Sequence, residues 1–290
     1  MKAPIFEYVE AKDLAHALEL LQLDKEVSIL AGGQSLVPML NMRFTYPDVL
    51  VDINKIKELG YIREDQGLIK IGAMTRQRDI EFSALVKHKM PLLHEAILNV
   101  GHRQTRNRGT IGGSLCQLDP SAEIPIVSLA FDIGLVAKSK SNERNLGIRD
   151  FSQGFMSPGL DDDEMLTEVV FEPWPSGHGY AFSGFSRREG DFSIASVAVM
   201  MLLGEQQEIE RVSIAVGGTA STAFRATQIE DLLLGEQPNE TLFQEAAKMG
   251  ADYEASSDAL VPSWYRQHLV GVLMREALDK ALSRCGERNE

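Results

Sequence analysis

The chain has 290 residues, 44% hydrophobic and 24% charged, and its 42 acidic and 29 basic side chains give a net charge of −13. This length suits about two domains, or three small ones, and is ample for a buried core, while the acidic balance excludes the basic footprint of a general nucleic-acid binder. Two cysteines, Cys116 and Cys285, are too few for a disulfide framework, a zinc site or an iron–sulfur cluster, and they point to a reducing cytoplasm.

The start, Met1 to Tyr8, lacks the apolar stretch of a secretory leader. Leu14, Ala17, Leu18 and Leu21 recur at helical spacing and predict an amphipathic helix over 13–21. Val27 to Leu30 reads as a short buried strand. The first of two similar glycine pairs follows, in Ala31-Gly32-Gly33-Gln34-Ser35-Leu36. Leu36, Met39, Leu40 and Arg43 then predict a helix with Pro38 in its first turn, where proline is tolerated. Asp48 to Ile53 is a second strand, which completes a small β-loop-α-β unit.

A second unit opens with the alternating strand Gly67 to Gly72 and continues with helical patches over 77–85 and 91–100. His88 and His94, in a Lys/Met-rich stretch, read as surface residues rather than ligands. The polar segment 101–109 carries Arg103, Arg106 and Arg108. These arginines read either as an electrostatic lead-in to a phosphate loop or as a solvated loop. The second glycine pair comes next, in Thr110-Ile111-Gly112-Gly113-Ser114-Leu115. Gly134 to Lys140 and Glu164 to Glu172 read as further strands, and the Pro/Gly-rich segment 172–177 marks a boundary. Beyond it lie a strand-like run over 180–203 broken at 189–191, a strand over 208–216, and helices near 226–234, 242–253 and 264–283. The apolar run 194–203 falls short of the roughly 20 residues of a spanning helix. Strands followed by helices make this half α+β. Gly217-Gly218, with no basic or apolar lining, reads as a structural turn.

Glycine lets the backbone turn sharply and brings N–H groups close to a ligand. Consecutive amides in one concavity bind anionic oxygen, so two such loops could grip one pyrophosphate; the other reading is two ordinary tight turns. Neither pair matches G-x-G-x-x-G or a phosphate loop with its lysine, and no G-x-S-x-G elbow is present. Ser35 and Ser114 suit phosphate contact better than nucleophilic chemistry. Asp119 before Pro120 reads as a helix N-cap, and Cys116 as a small packed residue. Glu123 could accept ribose hydroxyl hydrogen bonds or complement a helix dipole.

AGGQSLVPML at 31–40, RNRGTIGGSL at 106–115 and DPSAEIP at 119–125 resemble the FAD-binding subunit of the molybdenum hydroxylases, the group of carbon monoxide dehydrogenase, xanthine dehydrogenase and bacterial N-heterocycle dehydrogenases. PDVLVDI at 47–53, IGAMT at 71–75, FSRREGDF at 185–192 and IAVGGTASTAFRA at 214–226 extend the resemblance, in order, over nearly the whole chain. It implies an α+β chain: a two-subdomain FAD-binding fold over 1–56 and 57–174, then a C-terminal α+β domain over 175–290. It places the flavin pyrophosphate on residues 31–36, with Ile29 and Leu30 lining the flavin just before that loop. The second loop carries over to Thr110, Ile111, Gly112, Gly113 and Ser114, and Gly101 to a backbone contact. Glu123 matches the acidic ribose and adenosine contact, and Leu166 an apolar contact near the rings. Three positions depart from many relatives: Ser114 replaces asparagine, Cys116 a small apolar residue, and Phe192 tyrosine. Phe192 reads equally as an isoalloxazine contact and as core packing.

The resemblance implies that the chain is the flavin subunit of a three-subunit oxidoreductase, for which the cysteine count suggests the cytoplasm. Substrate would be hydroxylated on a molybdopterin-binding large subunit, and electrons would pass through a [2Fe–2S] small subunit to FAD here and on to an external acceptor. A dimer of heterotrimers is implied. No side chain of this chain is assigned as acid, base, nucleophile or metal ligand. A stand-alone flavin oxidoreductase, a non-enzymatic flavoprotein and a nucleotide-binding regulatory module remain alternatives.

Overall fold

The computed structural model describes residues 2–286. Its first sheet joins β1 (Glu7–Glu10), β2 (Val27–Leu30) and β3 (Val49–Asp52), with β3 central and parallel to both neighbours. Parallel strands need crossovers, and α1 (Leu14–Leu20) and α2 (Leu36–Met42) supply them. Ala17, Leu18 and Leu21 bury the apolar stripe read from the sequence against Val49 and Val51. β1 has no sequence signal of burial, because only Val9 of its four residues is less than exposed.

The second stretch begins with β4 (Ile62–Asp65) and β5 (Leu68–Gly72). Helices α3 (Gln77–Phe82), α4 (Ala84–Lys89), α5 (Pro91–Ile97), α6 (Arg103–Arg108), α7 (Ile111–Gln117) and α8 (Glu123–Phe131) follow. Then come β6 (Gly134–Lys138), β7 (Glu143–Gly147), a one-turn helix α9 (Ile148–Phe151), the small pair β8 (Ser152–Gly154) and β9 (Ser157–Pro158), and β10 (Met165–Phe171). The sheet is antiparallel, ordered β4-β5-β10-β6-β7. The helix expected over 77–85 breaks at Ser83, whose extended backbone and hydroxyl cap α4 at the Val86 amide, 3.3 Å away. The basic segment is a helix, α6, rather than a solvated loop. His88 is exposed, as expected for a surface residue, but His94 is half-buried, with a ring nitrogen 3.2 Å from the Glu81 carbonyl.

The third stretch is an antiparallel sheet of β11 (Gly179–Phe185), β12 (Ala195–Leu203), β13 (Ile209–Gly217) and β14 (Phe224–Arg225). Helices α10 (Thr227–Leu233), α11 (Glu240–Ala251) and α12 (Ser263–Ser283) follow. Val197, Val199 and Met201 pack toward these helices, while Ala198 and Met200 join the core around α8. A strand buried on both faces has no polar alternation, which accounts for the apolar run at 194–203. Glu95 of α5 ties the third stretch to the second: it accepts from Lys280 at 2.8 Å, Arg284 at 2.6 Å and the Phe182 amide at 2.9 Å. Helix α8 is buried along its whole length, so it is apolar all round, and its one ionisable residue, Glu123, lies at its first turn. Gly217 and Gly218 pack there too. Gly218 has φ +79° and donates to the Pro120 carbonyl at 2.8 Å, which makes the pair a structural turn. No helix of the described residues is long and apolar enough to cross a membrane.

Candidate functional site

A cleft of about 620 Å³ opens where the three stretches meet. Its floor begins at the carboxyl end of β2, where ligands of parallel sheets commonly bind. Ile29, Ala31, Gly32, Gly33, Gln34, Ser35 and Leu36 line it from the first stretch. Gly101, Thr110, Gly112, Gly113, Ser114, Glu123 and Leu166 line it from the second, and Phe192 from the third. Two expected residues do not reach it. Ile111 is wholly buried in the main core, and Leu30 packs beneath the first loop, with Cδ1 3.3 Å from where a Gly33 Cβ would stand.

The first loop leaves β2 and turns at Gly33, whose φ of +74° lies in the left-handed region that glycine adopts freely. Among the described residues, none accepts a hydrogen bond from the amides of Gly32, Gly33, Gln34, Ser35 or Leu36. The Ser35 hydroxyl is equally unengaged. Five successive free N–H groups at the edge of a cleft form a concavity for anionic oxygen.

The second loop is built differently. Thr110 caps α7 by accepting from the Gly113 amide at 3.0 Å. The Ile111 amide donates to the Thr75 carbonyl at 3.1 Å, that of Gly112 to the Ala73 carbonyl at 2.9 Å, and that of Ser114 to the Thr110 carbonyl at 3.1 Å. Its amides are therefore occupied within the chain, and the Ser114 hydroxyl is the free polar group it offers. Glycine is needed here for close packing: a Cβ on Gly112 would stand 2.6 Å from the Ala73 Cβ, and one on Gly113 2.8 Å from the Thr110 hydroxyl. The two loops also touch, since a Cβ on Gly32 would stand 2.2 Å from the Arg108 carbonyl oxygen.

None of the three arginines of α6 lines the cleft. Arg106 turns inward to Glu81 at 2.9 Å and to the carbonyls of Val100 and Gly101, while Arg103 and Arg108 are exposed. Asp119 is not the cap of α8, which starts four residues later at Glu123 with Ala122 in the cap position. It instead accepts from the Ser121 amide at 2.9 Å, a tight local turn. Glu123 is 3% exposed and no other residue hydrogen-bonds its carboxyl; burial pushes the carboxyl up to about 8, and nearby Asp119 adds to the rise. It stands both at a helix start and in the cleft, so its two expected roles are compatible. Phe192 is 58% exposed at the mouth, which excludes core packing. Burial pushes the Cys116 thiol up to about 12, as suits a packed, inert cysteine.

Gln77 was not legible as a site residue. It is 5% exposed, lines the cleft, and its side-chain oxygen is buried with no partner. It carries no motif; the fold alone brings it beside Gly109, where a Cβ would stand 2.5 Å from that oxygen. No group of metal-ligating side chains occurs among the described residues.

Comparison with known proteins gives a consistent answer. Residues 4–174 match the FAD binding domain in molybdopterin dehydrogenase, and residues 180–281 match the CO dehydrogenase flavoprotein C-terminal domain. The chain is 36% identical over 278 residues to the glyceraldehyde dehydrogenase medium chain of Sulfolobus acidocaldarius, covering 96% of this chain and 98% of that one. It is 37% identical to the 6-hydroxypseudooxynicotine dehydrogenase complex subunit alpha of Paenarthrobacter nicotinovorans, covering 100% of this chain and 99% of the relative. Its fold matches a chain of carbon monoxide dehydrogenase from Hydrogenophaga pseudoflava with a TM-score of 0.95 at 34% identity, covering 98% of this chain and all of the other.

Proposed function

The chain belongs to the FAD-binding medium subunits of the molybdenum hydroxylases, and on that premise we propose that it is the electron-transfer subunit of a complex with a molybdopterin-binding large subunit and an iron–sulfur small subunit. The single observation that carries this reading is the row of free amides at Gly32 to Leu36, sharing one cleft with the buried carboxyl of Glu123, which no other residue hydrogen-bonds. A diphosphate needs donors and a ribose needs an acceptor, and the two stand in one cleft. The orphaned side-chain oxygen of Gln77 adds a third buried polar group that a dinucleotide could satisfy.

In this reading the first loop binds the pyrophosphate through its amides and the Ser35 hydroxyl. Ser114 adds a hydroxyl from the second loop, while Thr110, Gly112 and Gly113 give the backbone surface against which the phosphates lie. Glu123 orients the ribose. Ile29, Leu166 and Phe192 offer apolar surface to the rings, and Gly101 a backbone contact. Leu30 and Ile111 support the two loops from beneath. FAD, when bound, supplies two-electron redox chemistry that can also proceed in single-electron steps. The chain's own part is to hold it between a one-electron donor, a [2Fe–2S] cluster on the small subunit, and an external acceptor. Substrate is hydroxylated on the large subunit. The reading divides the chain into units over 1–56, 57–174 and 175–290, one around each of the three larger sheets, and a dimer of heterotrimers in the cytoplasm, where two free cysteines stay reduced, completes it.

The test is to express the chain alone and with its two partner subunits. The lone chain should release about one FAD per chain on acid treatment, as a single-site reading requires, yet reduce no dye at the expense of substrate. The assembled complex should do so. Robust substrate oxidation by the lone chain would reject the partnership, and a colourless chain that FAD cannot reconstitute would reject the site.

A further inference from the structure

The two glycine loops belong to different sheets, and contact at Gly32 alone does not fix their relative position. A line of side-chain hydrogen bonds does. The Asn54 amide nitrogen donates to the Ala31 carbonyl at 2.8 Å, at the start of the first loop. Its amide oxygen accepts from one Nη of Arg76 at 2.5 Å, and the other Nη of Arg76 donates to the Arg108 carbonyl at 2.5 Å, just before the second loop. Both ends of the line are anchored. Asp52 holds Asn54, accepting from its backbone amide at 2.8 Å and its side chain at 2.6 Å, and Asp52 accepts in turn from the Tyr8 hydroxyl at 2.5 Å. On the other side, the Gln77 amide donates to the Gly109 carbonyl at 2.8 Å, which pins the backbone beside Arg76 to the residue that joins α6 to the second loop.

We infer that Arg76 and Asn54 form a brace that sets the spacing of the two glycine loops, so that the free amides of the first and the Ser114 hydroxyl of the second meet one pyrophosphate together. They are positioning residues: neither lines the cleft. The inference rests on the reading of the cleft as the FAD site. Its physical basis is the arginine fork. A guanidinium is planar, always charged, and holds its N–H groups in fixed geometry. Arg76 is half-buried and spends its two Nη groups on neutral oxygens, one on Asn54, which holds the first loop, and one on the Arg108 carbonyl, just before the second, so the loops are held before ligand arrives. A site ordered in advance binds more tightly than one that must be ordered on binding.

FAD affinity, read from flavin fluorescence with the FAD-free full-length chain, tests the brace. Arg76→Ala and Asn54→Ala should each weaken binding by about ten- to a hundredfold, the usual worth of a hydrogen bond to a charged group. Because the brace acts in series, the double variant should lie within about twofold of the weaker single variant; two independent sites would multiply their losses. Arg76→Lys keeps the charge and loses the fork, and should behave like Arg76→Ala. Three results would overturn the brace: unchanged affinity in both single variants, multiplied losses in the double, or full rescue by lysine. A fall in thermal stability of the FAD-free chain at unchanged affinity would likewise leave only a structural role. If the unaltered chain takes up no FAD, the reading of the cleft fails first. If it binds and the variants bind equally, the brace alone fails.

Discussion

The two glycine loops look alike in sequence and do different work in the fold. In the first, glycine frees the backbone: Gly33 sits at φ +74° and five amides are left without acceptors. In the second, glycine allows close approach: four successive amides are satisfied inside the chain, and Gly112 is pressed against Ala73. A glycine pair beside a nucleotide cleft can therefore bind the ligand or shape the wall opposite it, and the hydrogen-bond inventory distinguishes the two.

Substituting the glycines should separate the roles most strongly. Gly112→Val overpacks a closed contact and should destabilise the FAD-free chain by about 3 kcal/mol. Gly33→Val should cost that chain only about 1–2 kcal/mol, for a branched residue in the left-handed region, yet leave almost no bound flavin. Thermal unfolding of the FAD-free proteins, paired with flavin release from the purified ones, reads both effects. A Gly33→Val protein that keeps a full complement of flavin would erase the distinction.

Glu123→Gln is the next largest change, and its two effects oppose each other. Glu123 rises from an ordinary 4.5 to about 8 on folding, so the neutral carboxyl stabilises the FAD-free chain at low pH. That contribution fades as pH rises from about 4.5 through about 8. The glutamine variant should lose this slope and be the more stable protein above pH 8. It should also bind FAD more weakly, by about 1.5–3 kcal/mol where the carboxylate accepts ribose hydroxyls. FAD affinity of the unaltered chain should rise with pH up to about 8, and that of the variant should stay flat. Parallel pH profiles for the two proteins would refute the assignment.

The hydroxyls sharpen the comparison at smaller scale. Ser35→Ala and Ser114→Ala should each weaken FAD binding by about 0.5–1.5 kcal/mol, the ordinary worth of a neutral hydrogen bond, with little change in the stability of the FAD-free chain. An unaffected Ser114→Ala would remove the second loop from direct contact and leave it as wall alone.

Much of this was legible in the residues. The period of Leu14, Ala17 and Leu18 announced α1, and the strand-like run over 180–203 announced β11 and β12, because burial leaves its mark on hydrophobic pattern. The glycine loops, Glu123 and Leu166 were found in order, and they converge on one cleft. What stayed hidden depends on contacts distant in sequence. The Gln77 oxygen, the Asn54–Arg76 brace and the closed amides of the second loop all require β5, α3 and the first sheet to be in place. Short exposed strands such as β1 bury too little to leave a pattern. Asp119 was misread because Asp-Pro serves a tight turn as well as it serves a cap.

Amide hydrogen exchange with and without FAD tests the central claim most directly. The amides of residues 32–36 should exchange fast in the FAD-free chain and become protected when FAD is added, while those of residues 111–114 should be protected in both states. Rapid exchange at 111–114 that FAD suppresses, with no change at 32–36, would contradict the account and reverse the roles of the two loops.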